Sequence, residues 1–181
     1  VEHMLFKGTT KLPSSREIAG MIESLGGSIN AQTDKDLTSL FLKCPADHFE
    51  AALGIVADIW QNSTFDGSEV DRERNIIIDE AVLSQDNPDD WAAQLLDQIL
   101  WPGHGLGRPI IGYIDAIRQA NQQTLANYAA HYFGAANSAI SIAGNVDAAR
   151  ALESLHHRFD NHLCGDRPTW PVAHRGTEKS L

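Results

Sequence analysis

Apolar and polar positions along this chain switch between two periods. Ile18, Ala19, Met21, Ile22 and Leu25 recur at the three-to-four-residue spacing of one helix face. Ser14 and Glu17 form a capping box before them and Gly26-Gly27 stops them, which predicts a helix over about 15–25. Ser28-Ile29-Asn30-Ala31-Gln32-Thr33 then reads as an extended strand over 28–33, and Thr38-Ser39-Leu40-Phe41-Leu42-Lys43-Cys44, rich in strand formers, predicts another over about 37–44. Pro45 opens a helix through Phe49, Leu53, Val56, Ile59 and Trp60 that ends near Asn62. Asp66 with Glu69 three residues later starts a further helix, from about 67 to 84.

Asn87-Pro88-Asp89-Asp90 breaks that helix and begins one through Trp91, Leu95, Leu96 and Ile99. Trp101 to Pro109 reads as a loop. Short helices follow near 113–119 and 121–131, then Asn137 to Gly144 as a buried strand. Asn145-Val146-Asp147 begins a last helix that runs to about Phe159. From about Asn161 the composition shifts to Gly, Asp, Pro, Thr and Arg, the texture of a linker. The expected organisation is one domain over 1–160 and a linker over 161–181. Strands interleaved with one-sided amphipathic helices imply an α+β class, helices packed on a sheet.

Composition narrows the functional classes. A hydrophobic content of 43% supports a real core. The formal net charge of −10 disfavours nucleic acid as a partner, because phosphate backbones are held by Lys and Arg. It suits a basic peptide, although an acidic surface more commonly serves solubility. No run approaches the roughly 18 apolar residues of a membrane span. Cys44 and Cys164 make neither a disulfide framework nor a Cys-type zinc site, and Cys44, ending an apolar strand, reads as a buried thiol. Gly103, Gly105 and Gly107 are not a phosphate cradle, since no strand leads into them as required and Pro109 follows. His104 reads as a surface or packing residue, and His131 as a residue favoured at a helix C-terminus. His156 and His157 are adjacent, so they cannot pair as ligands on one helix face.

Two groups of residues stand out chemically. The chain begins Val1-Glu2-His3-Met4-Leu5-Phe6-Lys7-Gly8-Thr9, and Glu73 and Glu80 lie seven apart, so they share one face of the predicted 67–84 helix. Taken singly, a Glu-His pair is ordinary solvated sequence, and acidic residues seven apart are ordinary solvent face. Together, Val-Glu-His followed by Met-Leu-Phe-Lys-Gly-Thr, the glutamate pair, Asn30-Ala31-Gln32-Thr33 and Gly107-Arg108-Pro109-Ile110-Ile111-Gly112 resemble the pitrilysin and mitochondrial-processing-peptidase family, the inverzincin metallopeptidases. The likeness runs from about Val1 to Asp147.

The resemblance implies a zinc-dependent endopeptidase acting on extended or unfolded peptides. Val-Glu-His would be the end of an H-x-x-E-H zinc site whose first His lies two residues before Val1. Two His four apart on a helix lie on one face and can bind one Zn²⁺. His3 would then be a zinc ligand, and Glu2 the base that takes a proton from the attacking water. Glu80, 77 residues beyond His3, would complete the ligand set, with Glu73 supporting it from outside. Asn30 and Ala31 would sit on an edge strand to which substrate adds by main-chain hydrogen bonds. The implied fold is the N-terminal catalytic domain with a mostly antiparallel sheet, here lacking the strands before the zinc motif. A second domain or partner subunit of the same family would follow the linker. The alternative is a non-catalytic structural or partner subunit of the same fold, since the family includes members that have lost the metal residues.

Overall fold

A computed structural model describes residues 1–159, 168, 169 and 172. It is an α+β arrangement of seven α-helices of the described residues and one antiparallel strand pair, against which α1 and α2 pack. The helices are α1 (Ser15–Ser24), α2 (Phe49–Asn62), α3 (Gly67–Asp86), α4 (Pro88–Leu100), α5 (Ile114–Gln119), α6 (Gln122–Tyr132) and α7 (Ala148–Phe159). The strands are β1 (Ser28–Thr33) and β2 (Thr38–Lys43), paired from Ser28 with Lys43 to Thr33 with Thr38. Burial alternates along β1, so Ile29, Ala31 and Thr33 face inward while Ser28, Asn30 and Gln32 face out.

The first residues are a structural nail. Glu2–Phe6 forms a short 3₁₀ helix whose Met4 and Leu5 are buried. Leu5 enters the main core with Ile18 and Ile22 of α1, Ile55 and Ile59 of α2, and Phe133 after α6. Met4 enters a second cluster with Phe65 and Val70 at the start of α3. Two adjacent side chains therefore tie this segment to both halves of the helical layer. Trp60 stacks on Phe133 with ring centroids 4.4 Å apart, and its indole N–H donates to the Phe133 carbonyl at 3.2 Å.

A buried polar knot fixes the turn that follows. The Thr9 hydroxyl donates to the Asp58 carboxylate of α2 and accepts from the backbone amide of Leu12 at 2.9 Å. Asn62 donates to the other Asp58 oxygen at 2.9 Å. Thr9 and Asp58 are both buried, so each needs these partners. Gly8 sits so close to the next loop that a Cβ there would lie 2.7 Å from the Pro13 carbonyl oxygen. Before α3, Phe65 takes a left-handed backbone with φ 48°, uncommon for a bulky residue, and buries its ring. Asp66 then caps α3, accepting from the amides of Ser68 and Glu69.

The last helix is joined to α2 through the Glu50 carboxylate, among other contacts. Glu50 of α2 accepts from Ser154 at 2.7 Å, lies 3.3 Å from Arg150 and 3.5 Å from Arg158, while Arg158 also donates to the Glu50 carbonyl at 3.0 Å. The Ser154 hydrogen bond, opposed by a lesser effect of burial and helped by Arg150 and Arg158, holds the Glu50 carboxyl below its ordinary value of 4.5.

Three expectations need correction. Residues 137–144 are not a strand. Ala135–Asn137 is a 3₁₀ turn, and Ile140 and Ile142 are exposed. A strand needs a ladder partner for its backbone groups, and no described strand pairs with this one. The final helix starts at Ala148, where the Asp147 side chain accepts the amide of Arg150, rather than at Asn145. Cys44 is half-buried and lies one residue beyond β2, so it is not a core thiol. The linker expected over 161–181, with Cys164, lies outside the described residues apart from Pro168, Thr169 and Val172. No helix among the described residues is long and apolar enough to cross a membrane.

Two outcomes follow from this packing. Leu5→Ala removes a fully buried side chain and should destabilise the domain by about 2–5 kcal/mol, read from its urea unfolding midpoint. Glu50 has a depressed folded pKa, so its contribution is complete above the unfolded value and is lost as pH falls through the folded one. The stability gap between the wild type and Glu50→Gln should therefore be widest near neutrality and shrink below about pH 4. A gap independent of pH would show that Glu50 is not what holds α7.

Candidate active site

The site grows from the segment that Met4 and Leu5 nail down. With those two side chains buried, His3 projects toward α3. Seven residues along that helix span about 10 Å of its axis, so Glu73 and Glu80 approach the imidazole from two successive levels. His3 Nδ1 lies 3.2 Å from Glu73 Oε2, and His3 Nε2 lies 3.8 Å from Glu80 Oε2.

The two carboxylates differ in setting. The Glu73 side chain is 5% exposed and that of Glu80 is 56% exposed. Glu73 is satisfied on both oxygens, by His3 on one and by Lys7 Nζ at 2.5 Å on the other. Burial acts to raise the Glu73 carboxyl, but the Lys7 ammonium, and then His3, hold it below its ordinary value. A buried, ionised acceptor on Nδ1 selects the tautomer with the proton there. Nε2 faces Glu80 and solvent.

That donor set fits a metal ion. Zinc–nitrogen and zinc–oxygen bonds of about 2.0–2.2 Å at a tetrahedral angle put two ligand atoms about 3.3–3.6 Å apart. The 3.8 Å between His3 Nε2 and Glu80 Oε2 is within a small swing of an exposed glutamate from that value. Among the described residues no group of three His, Cys, Asp or Glu side chains is gathered to hold an ion, so His3 and Glu80 are a pair.

Glu2 and the strand edge complete the neighbourhood. The Thr33 hydroxyl at the end of β1 donates to Glu2 Oε2 at 2.5 Å. Asn30 is exposed on β1, and its side-chain oxygen accepts the amide of Ala31, which is buried. The hairpin tip is pinned by Lys35, which lies 2.8 Å from Asp97 of α4 and donates to the Arg108 carbonyl at 2.7 Å. Gly107 in that loop admits no side chain, because a Cβ would lie 2.4 Å from the Trp101 carbonyl oxygen. His104 stands apart, its Nδ1 accepting the Leu106 amide at 3.1 Å. A separate cleft of about 350 Å³ between α3, α4 and α5 is lined by Ala81, Gln85, Gln94 and Tyr113, and by none of the residues around His3.

Lys7 and Thr33 carry contacts that sequence reading did not assign. Both lie inside the motifs singled out above. Lys7 is four residues from His3, and Thr33 shares the inward parity of Ile29 and Ala31; a polar residue at an inward strand position was the available signal.

On this α+β layer a histidine of the first segment is thus set between two glutamates of a downstream helix, and sequence comparison gives the chain its family. Residues 1–113 match the model of the insulinase family, peptidase family M16, and the chain belongs to that family. It is 37% identical over 146 residues to the uncharacterised zinc protease YmxG of Bacillus subtilis, covering 81% of this chain and 36% of that protein. It is 32% identical over 161 residues to the mitochondrial-processing peptidase subunit beta of Dictyostelium discoideum, covering 89% of this chain and 34% of that one. The chain thus spans about two-fifths of the length of the curated relatives it matches. Among solved structures, a protease from Helicobacter pylori superposes with a TM-score of 0.86 at 22% identity, over 96% of this chain and 42% of that chain. The inactive M16 peptidase domain from Pseudomonas fluorescens superposes with a TM-score of 0.87 at 20% identity, over 97% and 42%. At such identities these likenesses speak for the fold alone.

Proposed function

We propose that this chain carries most of the catalytic centre of a zinc-dependent endopeptidase that cleaves extended peptides. The observation that carries the reading is His3, its Nδ1 on buried Glu73 and its Nε2 facing Glu80. In this reading His3 and Glu80 are zinc ligands and Glu73 is the outer carboxylate that fixes the imidazole. A catalytic zinc takes three protein ligands, so this reading needs one more beside His3 and Glu80. A zinc ion held there would lower the pKa of a bound water to about 7 and would polarise a neighbouring carbonyl. Glu2 takes the proton released as water oxygen bonds to the scissile carbon, and passes it to the amine nitrogen as the C–N bond breaks.

Substrate lies along β1 as an added strand, with Asn30 and Ala31 offering main-chain contacts. The Ala31 amide already has the Asn30 side chain as partner, so an incoming strand exchanges one hydrogen bond for another. Main-chain pairing reads little of a peptide's sequence, which suits extended or unfolded substrates. The reading also includes a second domain or partner subunit of the same family, following a linker over 161–181, and it involves neither nucleic acid nor a membrane span. The zinc-protease names of the relatives support it. The competing reading is a non-catalytic structural or partner subunit of the same fold.

Two experiments separate these readings. In the full gene product, Glu80→Gln should lower zinc content, because the ligand loses its charge. Glu2→Gln should retain zinc and lose most hydrolysis. Both are read by metal analysis and cleavage of an unstructured peptide, and normal turnover by Glu2→Gln would exclude the assigned role. Separately, a protein of residues 1–181 alone, holding two of three ligands, should show no zinc-dependent turnover. Turnover near that of the full gene product would mean that His3 and Glu80 suffice without a third ligand.

A further inference from the structure

We infer that Thr33 is the positioning residue for the Glu2 carboxylate, and that it couples the substrate-binding edge strand to the general base. This rests on the function proposed above and adds a residue to it. The observation is the Thr33 hydroxyl donating to Glu2 Oε2 at 2.5 Å, across 31 residues of sequence, from the last residue of β1.

The residue type is what makes the contact informative. Ile29, Ala31 and Thr33 form the inward face of β1; Ile29 packs against the main core and Ala31 is buried. A valine at 33 would have the same shape, the same β-branching and a slightly better fit to an apolar face. The hydroxyl adds one thing that Val cannot, a donor toward Glu2. Thr38, the register partner across the hairpin, brings its own hydroxyl to 3.5 Å from that of Thr33, so the Thr33 group is oriented from the β2 side as well.

A carboxylate that accepts a proton in the reaction must present one oxygen to the attacking water. The Thr33 bond occupies Oε2 and fixes the rotation of the group, leaving Oε1 as the free acceptor. The donor stands on the strand that carries Asn30 and Ala31, three and two residues away. Lys35, two residues beyond on the hairpin tip, ties that end of the strand to Asp97 and the Arg108 carbonyl. The strand that would receive the peptide and the hydrogen bond that aims the base are therefore parts of one braced element. A misplaced peptide strand displaces the aim of Glu2 along with itself.

The test is a side-chain series at 33 in the full gene product. Thr33→Val should lower kcat by about tenfold or more with KM little changed and zinc content intact, the loss expected when an outer hydrogen bond that orients a reacting group is removed. Thr33→Ser, which keeps the donor, should recover most of that rate. A merely structural role gives the opposite order, because Val is the better strand former and Ser the poorer one. Thermal unfolding of each variant shows whether it is folded. Wild-type kcat in Thr33→Val, or a larger loss in Ser than in Val, overturns the inference and leaves the protease reading standing. Absence of zinc-dependent cleavage by the unmutated protein overturns both.

Discussion

The Glu73 carboxylate is the constraint on which the arrangement depends. It sits on α3, almost wholly out of solvent, where an unpaired charge would cost several kcal/mol. Its partners, Lys7 and His3, both belong to the first nine residues. One buried anion thus ties the N-terminal segment to α3 through both Lys7 and His3. The same contact leaves His3 Nε2 toward the exposed Glu80, where chemistry can reach it. An exposed, acid-rich helix becomes half of the candidate site because one of its carboxylates is turned inward.

Around that contact the chain uses burial to hold a short segment still. A 3₁₀ helix of five residues has too few internal hydrogen bonds to be rigid alone. Leu5 and Met4 anchor it in two apolar clusters, and Thr9 with Asp58 closes the turn behind it. The glutamates of α3, the hydroxyl of β1 and the imidazole of the first segment then converge from three elements far apart in sequence. Such convergence on a packed frame is how preorganised sites hold their geometry. Membership of the insulinase family gives the arrangement a class, and the chain spans about two-fifths of the length of its curated relatives.

Much of this was legible in the sequence, for reasons that are local. The capping box at Ser14 and Glu17, the Asp66 cap and Asn87-Pro88 act within a few residues, so helix starts at 15, 67 and 88 follow from short-range hydrogen bonding. The seven-residue spacing of Glu73 and Glu80 fixes a common face whatever the rest of the fold does. The strand expected at 137–144 failed for the complementary reason. Its β-branched pattern states a preference, but a strand exists only where another backbone supplies its hydrogen bonds.

What the sequence determined by itself was the set of elements, the shared face of the two glutamates and the motif that marks the site. Tertiary structure decided which member of each set matters. Glu73 and Glu80 are equivalent by periodicity, and only packing against Lys7 and His3 buries the first and leaves the second open. Thr33 is one more strand residue until the hairpin carries it to Glu2. Periodicity is a property of the backbone and can be read along the chain, whereas burial and partner choice are properties of surfaces brought together by folding.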